Sequence, residues 1–136
     1  MKPPVVADLV WTGELRFTAT SGSTGLTLDG NSTAGPSPVQ TLVFALAGCM
    51  SADVVHILTK GRHRLRALKA HIVGERAQGD PHRLLKVDLR FDIDGPVPQD
   101  AADRAVAMSR EKYCSVWHSL NPDIAFTVTC DVHADA

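Results

Sequence analysis

The segment Pro38–Lys60 constrains the fold of this chain more than any other. Every residue in it is compatible with a helix, and Ser37 followed by Pro38 gives a favourable N-cap and first helical position. Gly61 is a favourable residue just after the C-terminus of such a helix. Residues 42–49 are apolar on nearly all sides, which is typical of a helix buried over most of its surface. A chain of 136 residues does not easily cover such a helix by itself, so the pattern indicates a partner subunit.

Alternating apolar and polar residues predict strands on both sides of this helix. Before it, residues 5–11 and 14–20 predict two strands, and residues 26–28 a short third one. After it, residues 67–76 and 85–93 predict a hairpin with one wet face. A second helix is predicted from about Asp100 towards Leu120, and a last strand over residues 124–132. This order predicts an α+β fold with antiparallel sheets, in one domain over residues 1–136.

The composition argues against several kinds of partner. The net charge of −1 leaves no basic excess for a phosphate backbone, and the basic cluster at residues 62–66 is interpreted as cations beside a helix C-terminus. No stretch reaches the ~18–20 unbroken apolar residues of a membrane span, and no signal-peptide core follows Met1. We therefore expect a cytoplasmic protein that binds neither nucleic acid nor a membrane.

The three cysteines are too few, and odd in number, for a disulfide framework. In a reducing compartment we expect them to be catalytic, metal-binding or simply buried. Cys130 is in phase with the apolar residues of the last predicted strand, so it is predicted to be a small buried hydrophobe.

Cys49 lies within the first helix, directly after Gly48, where the missing side chain permits close approach of another group. Asp53 and His56 follow at i+4 and i+7, on the same helix face. A nearby carboxylate raises the pKa of a thiol, so an activated Cys49 requires a cation from elsewhere.

Cys114 lies in the second predicted helix, with Arg110 four residues before it and His118 four residues after it. A helical backbone would set both side chains beside the sulfur and favour the thiolate. The same spacing is also that of a surface charge pattern on an amphipathic helix, and spacing alone does not decide between them.

Other chemistry has weaker signals. The chain has no Cys-x-x-Cys, which counts against a thioredoxin-like motif and a zinc ribbon. A closed zinc site remains formally possible, with the ligands Cys49, His56, Cys114 and His118. We expect no metal and no bound cofactor.

Two stretches together resemble the OsmC/Ohr family of thiol proteins. The first is GPSPVQTL at residues 35–42, followed by ALAGC at 45–49 and DVV at 53–55. The second is SREKYCSV at residues 109–116. The separation of 65 residues between the cysteines (114 minus 49) and the strand pair between them are also similar. The resemblance extends over essentially the whole chain.

The resemblance implies an OsmC-like fold, an intertwined homodimer, active sites at the subunit interface, and a first helix that packs against its copy. It implies that Cys49 reacts with a hydroperoxide to give a sulfenic acid. Cys114 would then condense with it to form a disulfide. An external dithiol, such as a lipoyl group or a small thiol, would regenerate the pair by exchange.

One position departs from the family pattern. Organic hydroperoxide resistance members have a Glu directly after the proline that opens this helix, paired with an Arg from the early strands; this chain has Val39 there. Arg16 is in the right region to be the activating cation, but its carboxylate partner is missing. The resemblance therefore predicts a thiol peroxidase that depends on Arg16 and is weaker than members with the pair. The alternative is a non-catalytic OsmC-like protein that binds a hydrophobic ligand or senses redox state.

Overall fold

A computed structural model describes all residues from 1 to 136, and its elements confirm the α+β class. The chain divides into two compact units, residues 1–42 and 43–136. In chain order the elements are β1 (Asp8–Gly13), β2 (Arg16–Ser21), β3 (Thr24–Asp29), α1 (Pro38–Lys60), β4 (Ala67–Arg76), β5 (Leu84–Asp94), α2 (Gln99–Met108), a π-helical turn (Ser109–Tyr113), α3 (Ser115–His118) and β6 (Ala125–His133).

The first unit contains an antiparallel sheet in the order β1-β2-β3. A two-residue turn joins β2 to β3, and Gly22 in it has a φ of 60°, a conformation that glycine adopts at no steric cost. The sheet buries no large apolar side chain, and Trp11 is 65% exposed. Its only fully buried side chain is that of Asp29.

Helix α1 begins as predicted, with a reciprocal cap at its N-terminus. The N–H of Gln40 donates to Oγ of Ser37 at 3.1 Å, while the N–H of Ser37 donates to Oε1 of Gln40 at 2.9 Å. At the other end the left-handed residue is Arg62, with a φ of 65°, rather than Gly61. The N–H of Gly61 still closes the helix by donating to the carbonyl of Ile57.

The expected burial of α1 on most sides is wrong for a single chain. The helix buries one stripe at i, i+4 spacing, formed by Leu46, Met50, Val54 and Leu58. Its opposite face is exposed and apolar, with Phe44 62% exposed. By length and composition alone α1 could cross a membrane, a test that the core helix of a globular protein also passes.

The second unit contains a mixed sheet in the order β4-β5-β6. β4 and β5 form the predicted antiparallel hairpin, but β6 runs parallel to β5, so the prediction of purely antiparallel sheets is wrong here. Two parallel strands must begin at the same end of the sheet. The long connection through α2 and α3 returns the chain to the end where β5 begins. The central strand β5 supplies the middle of the core, with Val87, Leu89, Phe91 and Ile93 all at most 1% exposed.

The predicted helix from Asp100 to Leu120 is interrupted. α2 ends at Met108, the following turn is π-helical, and Cys114 has extended backbone angles (φ −72°, ψ 100°) before the short helix α3. Residues 109–113 all have acceptable helix propensity and include no proline or glycine, so the sequence does not predict the break.

Candidate functional site

Cys49 lies on α1 beside the buried stripe and is partly exposed. It packs against the core of the second unit. Nothing lies within 4 Å of the place where a Cβ on Gly48 would be, so the backbone next to the thiol is open to approach. The close approach of another group at Gly48 stays a prediction.

Cys114 is fully buried at the break between the π-helical turn and α3. It caps α3, because the N–H of Trp117 donates to its Sγ at 3.4 Å. Burial raises the pKa of the Cys114 thiol to about 11, and a hydrogen bond with Cys49 adds to the shift. The suggestion that its surroundings favour the thiolate is therefore wrong.

The two cysteines and Asp53 form one cluster. The Sγ atoms of Cys49 and Cys114 and a carboxylate oxygen of Asp53 all lie within 4.8 Å of one another. Asp53 is on the same helix face as Cys49, as its i+4 spacing predicts. The buried hydroxyl of Ser109 donates to Oδ2 of Asp53 at 2.7 Å. The π-helical turn thus fixes the Asp53 carboxylate as well as the position of Cys114.

The helix is interrupted just before Cys114, so Arg110 and Cys114 do not share one continuous helix. The Arg110 guanidinium lies over two aromatic rings instead, 5.8 Å from the centroid of Trp117 and 5.1 Å from that of Phe126. The centroids of those two rings are 4.6 Å apart. No cationic side chain contributes to the pKa shift of Cys114.

A cleft of about 540 Å³ opens beside this cluster, and Asp53 belongs to its lining. Apolar groups make up much of the wall, and His56 and Lys60 add polar groups. The lining includes Asp53, His56, Ile57, Lys60, Met108 and Tyr113.

Arg16, the third predicted site residue, lies on β2 in the first unit. Its Nε is 3.5 Å from Oδ2 of Asp29, and its Nη2 is 3.5 Å from Oε2 of Glu14. The conclusion that Arg16 lacks a carboxylate partner is therefore wrong, because Asp29 forms an ion pair with it. Asp29 is the residue directly opposite Arg16 in the β2–β3 pair.

Asp29 is held in place by the loop that follows it. Its carboxylate accepts hydrogen bonds from the N–H groups of Ala34 (2.9 Å) and Asn31 (2.8 Å) and from the hydroxyl of Thr33 (2.7 Å). These donors, Ala34 first, hold the pKa of Asp29 well below its usual range. Asp29 is thus a fixed anion beside Arg16.

Cys130 is separate from this cluster. It is partly buried on β6, where it packs against the core in phase with Phe126 and Val128, as predicted. Burial raises the pKa of its thiol to about 11, and nearby carboxylates, that of Asp103 first, add to the shift. Both conditions make Cys130 a poor nucleophile.

The ligand set considered for zinc is not assembled. His56 and His118 lie outside the group that brings together Cys49, Asp53 and Cys114. The role of Asp53 as a third member of that group follows from its i+4 spacing, whereas nothing in the spacing announced Ser109.

The fold and the paired cysteines define a class of small α+β proteins with two thiols on different elements of one unit. The family model described as OsmC-like protein matches residues 29–129, and the chain belongs to this family. Protein YhfA from Escherichia coli K12 is 36% identical over 131 residues, which cover 94% of this chain and 98% of that protein.

Two solved structures illustrate the likeness in fold. A hypothetical protein from Aquifex aeolicus VF5 has a TM-score of 0.92 at 24% identity, over 99% of this chain and 100% of that one. An organic hydroperoxide resistance protein from Legionella pneumophila has a TM-score of 0.71 at 17% identity, over 96% and 98% of the two chains.

Proposed function

We propose that this protein is a thiol peroxidase that reduces organic hydroperoxides through Cys49 and Cys114, with a role in defence against oxidative stress. The observation that supports this best is the proximity of the two sulfurs, which lie within 4.8 Å although 65 residues separate them in the chain (114 minus 49). The OsmC-like family, which includes organic hydroperoxide resistance proteins, is consistent with the same chemistry.

The proposed reaction needs no bound cofactor. The Cys49 thiolate attacks one peroxide oxygen, the O–O bond breaks, and the alcohol leaves with a proton while Cys49 becomes a sulfenic acid. The Cys114 sulfur then attacks the Cys49 sulfur, and water leaves as the disulfide forms. An external dithiol, a lipoyl group or a small thiol, reduces the disulfide by exchange.

Burial supports this division of roles. Cys49 is partly exposed and Cys114 is fully buried, so a peroxide that arrives from solvent meets the Cys49 sulfur first. The raised pKa of Cys114 keeps it protonated at neutral pH until the partner sulfur has been oxidised. The apolar wall formed by Ile57 and Met108 suits an organic hydroperoxide better than hydrogen peroxide.

Arg16 is proposed as the cation that activates Cys49. A guanidinium is always charged and can also donate hydrogen bonds to a peroxide oxygen. The Asp29 carboxylate, itself fixed by three hydrogen bonds, supports a defined position for Arg16. In this proposal Asp29 does for Arg16 what the Glu at position 39 does in the members that have it.

A homodimer is part of the proposal. The single chain leaves the apolar face of α1 and Trp11 of the first sheet exposed, and contiguous exposed apolar surface often marks a protein–protein contact. A second copy of the chain that covers the α1 face also accounts for its apolar length without a membrane. The reactive cysteine pair points to a reducing compartment, the cytoplasm.

A second candidate function has one observation in its favour. The cluster around Cys114 contains the carboxylate of Asp53, and no cation lowers the pKa of the thiol. A buried thiol with a raised pKa near an apolar cleft is also what a redox sensor or a hydrophobic-ligand-binding protein would have.

An assay of organic hydroperoxide consumption, with dihydrolipoamide or dithiothreitol as reductant, distinguishes the two candidate functions. A peroxidase gives many turnovers per chain, none with Cys49→Ser, and an unchanged rate with the matched variant Cys130→Ser. A wild-type protein that reacts no faster than Cys49→Ser contradicts the peroxidase proposal and favours the second candidate.

A further inference from the structure

We propose that Cys49, Asp53 and Cys114 also form a binding site for one thiophilic divalent cation of the zinc type. The site consists of two sulfurs from different elements and one carboxylate oxygen, all within 4.8 Å of one another. It is distinct from the set of two cysteines and two histidines that the spacing of the sequence suggested.

The ligand chemistry selects the kind of cation. Thiolates bind Zn²⁺ and other soft metals and are poor ligands for Mg²⁺ or Ca²⁺, which require oxygen. Three protein ligands leave a fourth tetrahedral position open, the arrangement of zinc sites that keep a water or an exchangeable ligand. A closed structural site would need a fourth side chain that the cluster does not have.

The geometry needs only small adjustments. Zn–S bonds of about 2.3 Å and Zn–O bonds of about 2.0–2.2 Å, at tetrahedral angles, place the ligand atoms about 3.5–3.8 Å apart. Separations of up to 4.8 Å in the metal-free protein therefore close by about 1 Å, within reach of side-chain rotation.

The surroundings supply the two other features that a metal site requires. The first is a second-shell partner, because the Ser109 hydroxyl donates to Oδ2 of Asp53 at 2.7 Å and orients the carboxylate. The second is an entry path, because Asp53 lines the cleft that opens to solvent. Asp53 has no assigned part in the peroxidase reaction, and in this site it is a ligand of the cation.

Cation binding and the disulfide exclude each other, since both use the same two sulfurs. Binding displaces the two thiol protons and gives one cation bound by two thiolates. If the pair reduces peroxides as proposed, one hydroperoxide and two protons convert this complex into the disulfide, an alcohol, a water molecule and the free cation. Only this link to oxidation rests on the proposed function; cation binding itself does not.

The test is a titration of the reduced full-length protein with Co²⁺, in the absence of peroxide. We expect one Co²⁺ per chain, a sulfur-to-cobalt charge-transfer band and visible bands of tetrahedral intensity, with Zn²⁺ displacing the cobalt. Cys130→Ser should behave as wild type, and Cys49→Ser should lose the charge-transfer complex. Ser109→Ala should weaken binding on the order of tenfold to a hundredfold, and the isosteric Asp53→Asn by at least as much.

Three results would overturn the site: no charge-transfer band with wild type, a band that survives Cys49→Ser, or an affinity unchanged by Asp53→Asn. Far-ultraviolet circular dichroism of each variant distinguishes the loss of a ligand from the loss of the fold. The titration contains no peroxide, so its failure leaves the peroxidase assay untouched, and a protein without peroxidase activity can still bind the cation.

Discussion

At the scale of single residues, the pair Asp29 and Arg16 links stability to the proposed chemistry. Asp29 is buried and accepts three hydrogen bonds from its own loop, and the resulting low pKa means that folding favours its ionised form. A depressed folded-state pKa stabilises the protein above the unfolded value of about 3.9, and this stabilisation is lost as the pH falls below it.

Asp29→Asn should therefore lower stability most at neutral pH, because the amide keeps the shape but loses the charge and one acceptor site. The difference from wild type in urea midpoint should stay constant from pH 7 to about 5 and shrink as the pH falls below about 4. Asp8→Asn, an exposed position on β1, is the matched control and should change little. A midpoint difference that does not shrink below about pH 4 would show that the Asp29 charge is not what the loop stabilises.

Arg16→Ala should slow the reaction of Cys49 with an organic hydroperoxide at pH 7 on the order of tenfold or more, the effect of losing one neighbouring opposite charge. Arg110→Ala is the control, because it also removes one guanidinium charge, but from a side chain that lies over Trp117 and Phe126. Single-turnover kinetics measures both. Equal rates for wild type and Arg16→Ala would remove Arg16 from the site.

The Arg16–Asp29 pair was missed from the sequence, although its signal was present. A two-residue turn at Gly22 and Ser23 pairs residues whose numbers sum to 45, which sets Arg16 opposite Asp29. Ser109 is different, because its contact with Asp53 depends on a tertiary arrangement that no local pattern encodes.

At the scale of elements, α1 is the element that presents Cys49, and its start is fixed by the reciprocal cap of Ser37 and Gln40. Ser37→Ala removes the acceptor for the Gln40 N–H and should lower the free energy of unfolding by about 1 kcal/mol. Ser23→Ala, at an exposed turn position, should change it by less than about 0.5 kcal/mol. Chemical denaturation measures both, and equal effects would mean that the cap does not hold the helix start.

The elements were predicted well where local pattern determines them. α1, the β4–β5 hairpin and the phase of β6 follow from capping residues and alternation. The direction of β6 does not, because alternation is the same in parallel and antiparallel strands; the long helical connection after β5 was the available clue. The break at Cys114 could not be predicted, because Ser109–Tyr113 has ordinary helix propensity and the π-helical turn is selected by tertiary packing.

At the scale of the whole molecule, the exposed apolar face of α1 leads to a prediction about assembly. Ala45, Gly48, Ala52 and Val55 follow one another on this face, and all are exposed in the single chain. Ala52→Arg should convert a dimer into a monomer or an unfolded chain, because a buried unpaired charge costs several kcal/mol. Ala107→Arg, on an exposed position of α2, should leave the assembly intact. Light scattering measures the oligomeric state of each protein. A folded wild-type monomer at micromolar concentration would contradict the proposed dimer.

The central claim is that Cys49 and Cys114 act as one redox pair. Its most direct test is mass spectrometry of the non-reduced protein after one equivalent of organic hydroperoxide. The account predicts an intramolecular Cys49–Cys114 disulfide with Cys130 still free, and in Cys114→Ser a sulfenic acid on Cys49. A disulfide that includes Cys130, or two thiols that stay reduced while peroxide is consumed, would contradict it.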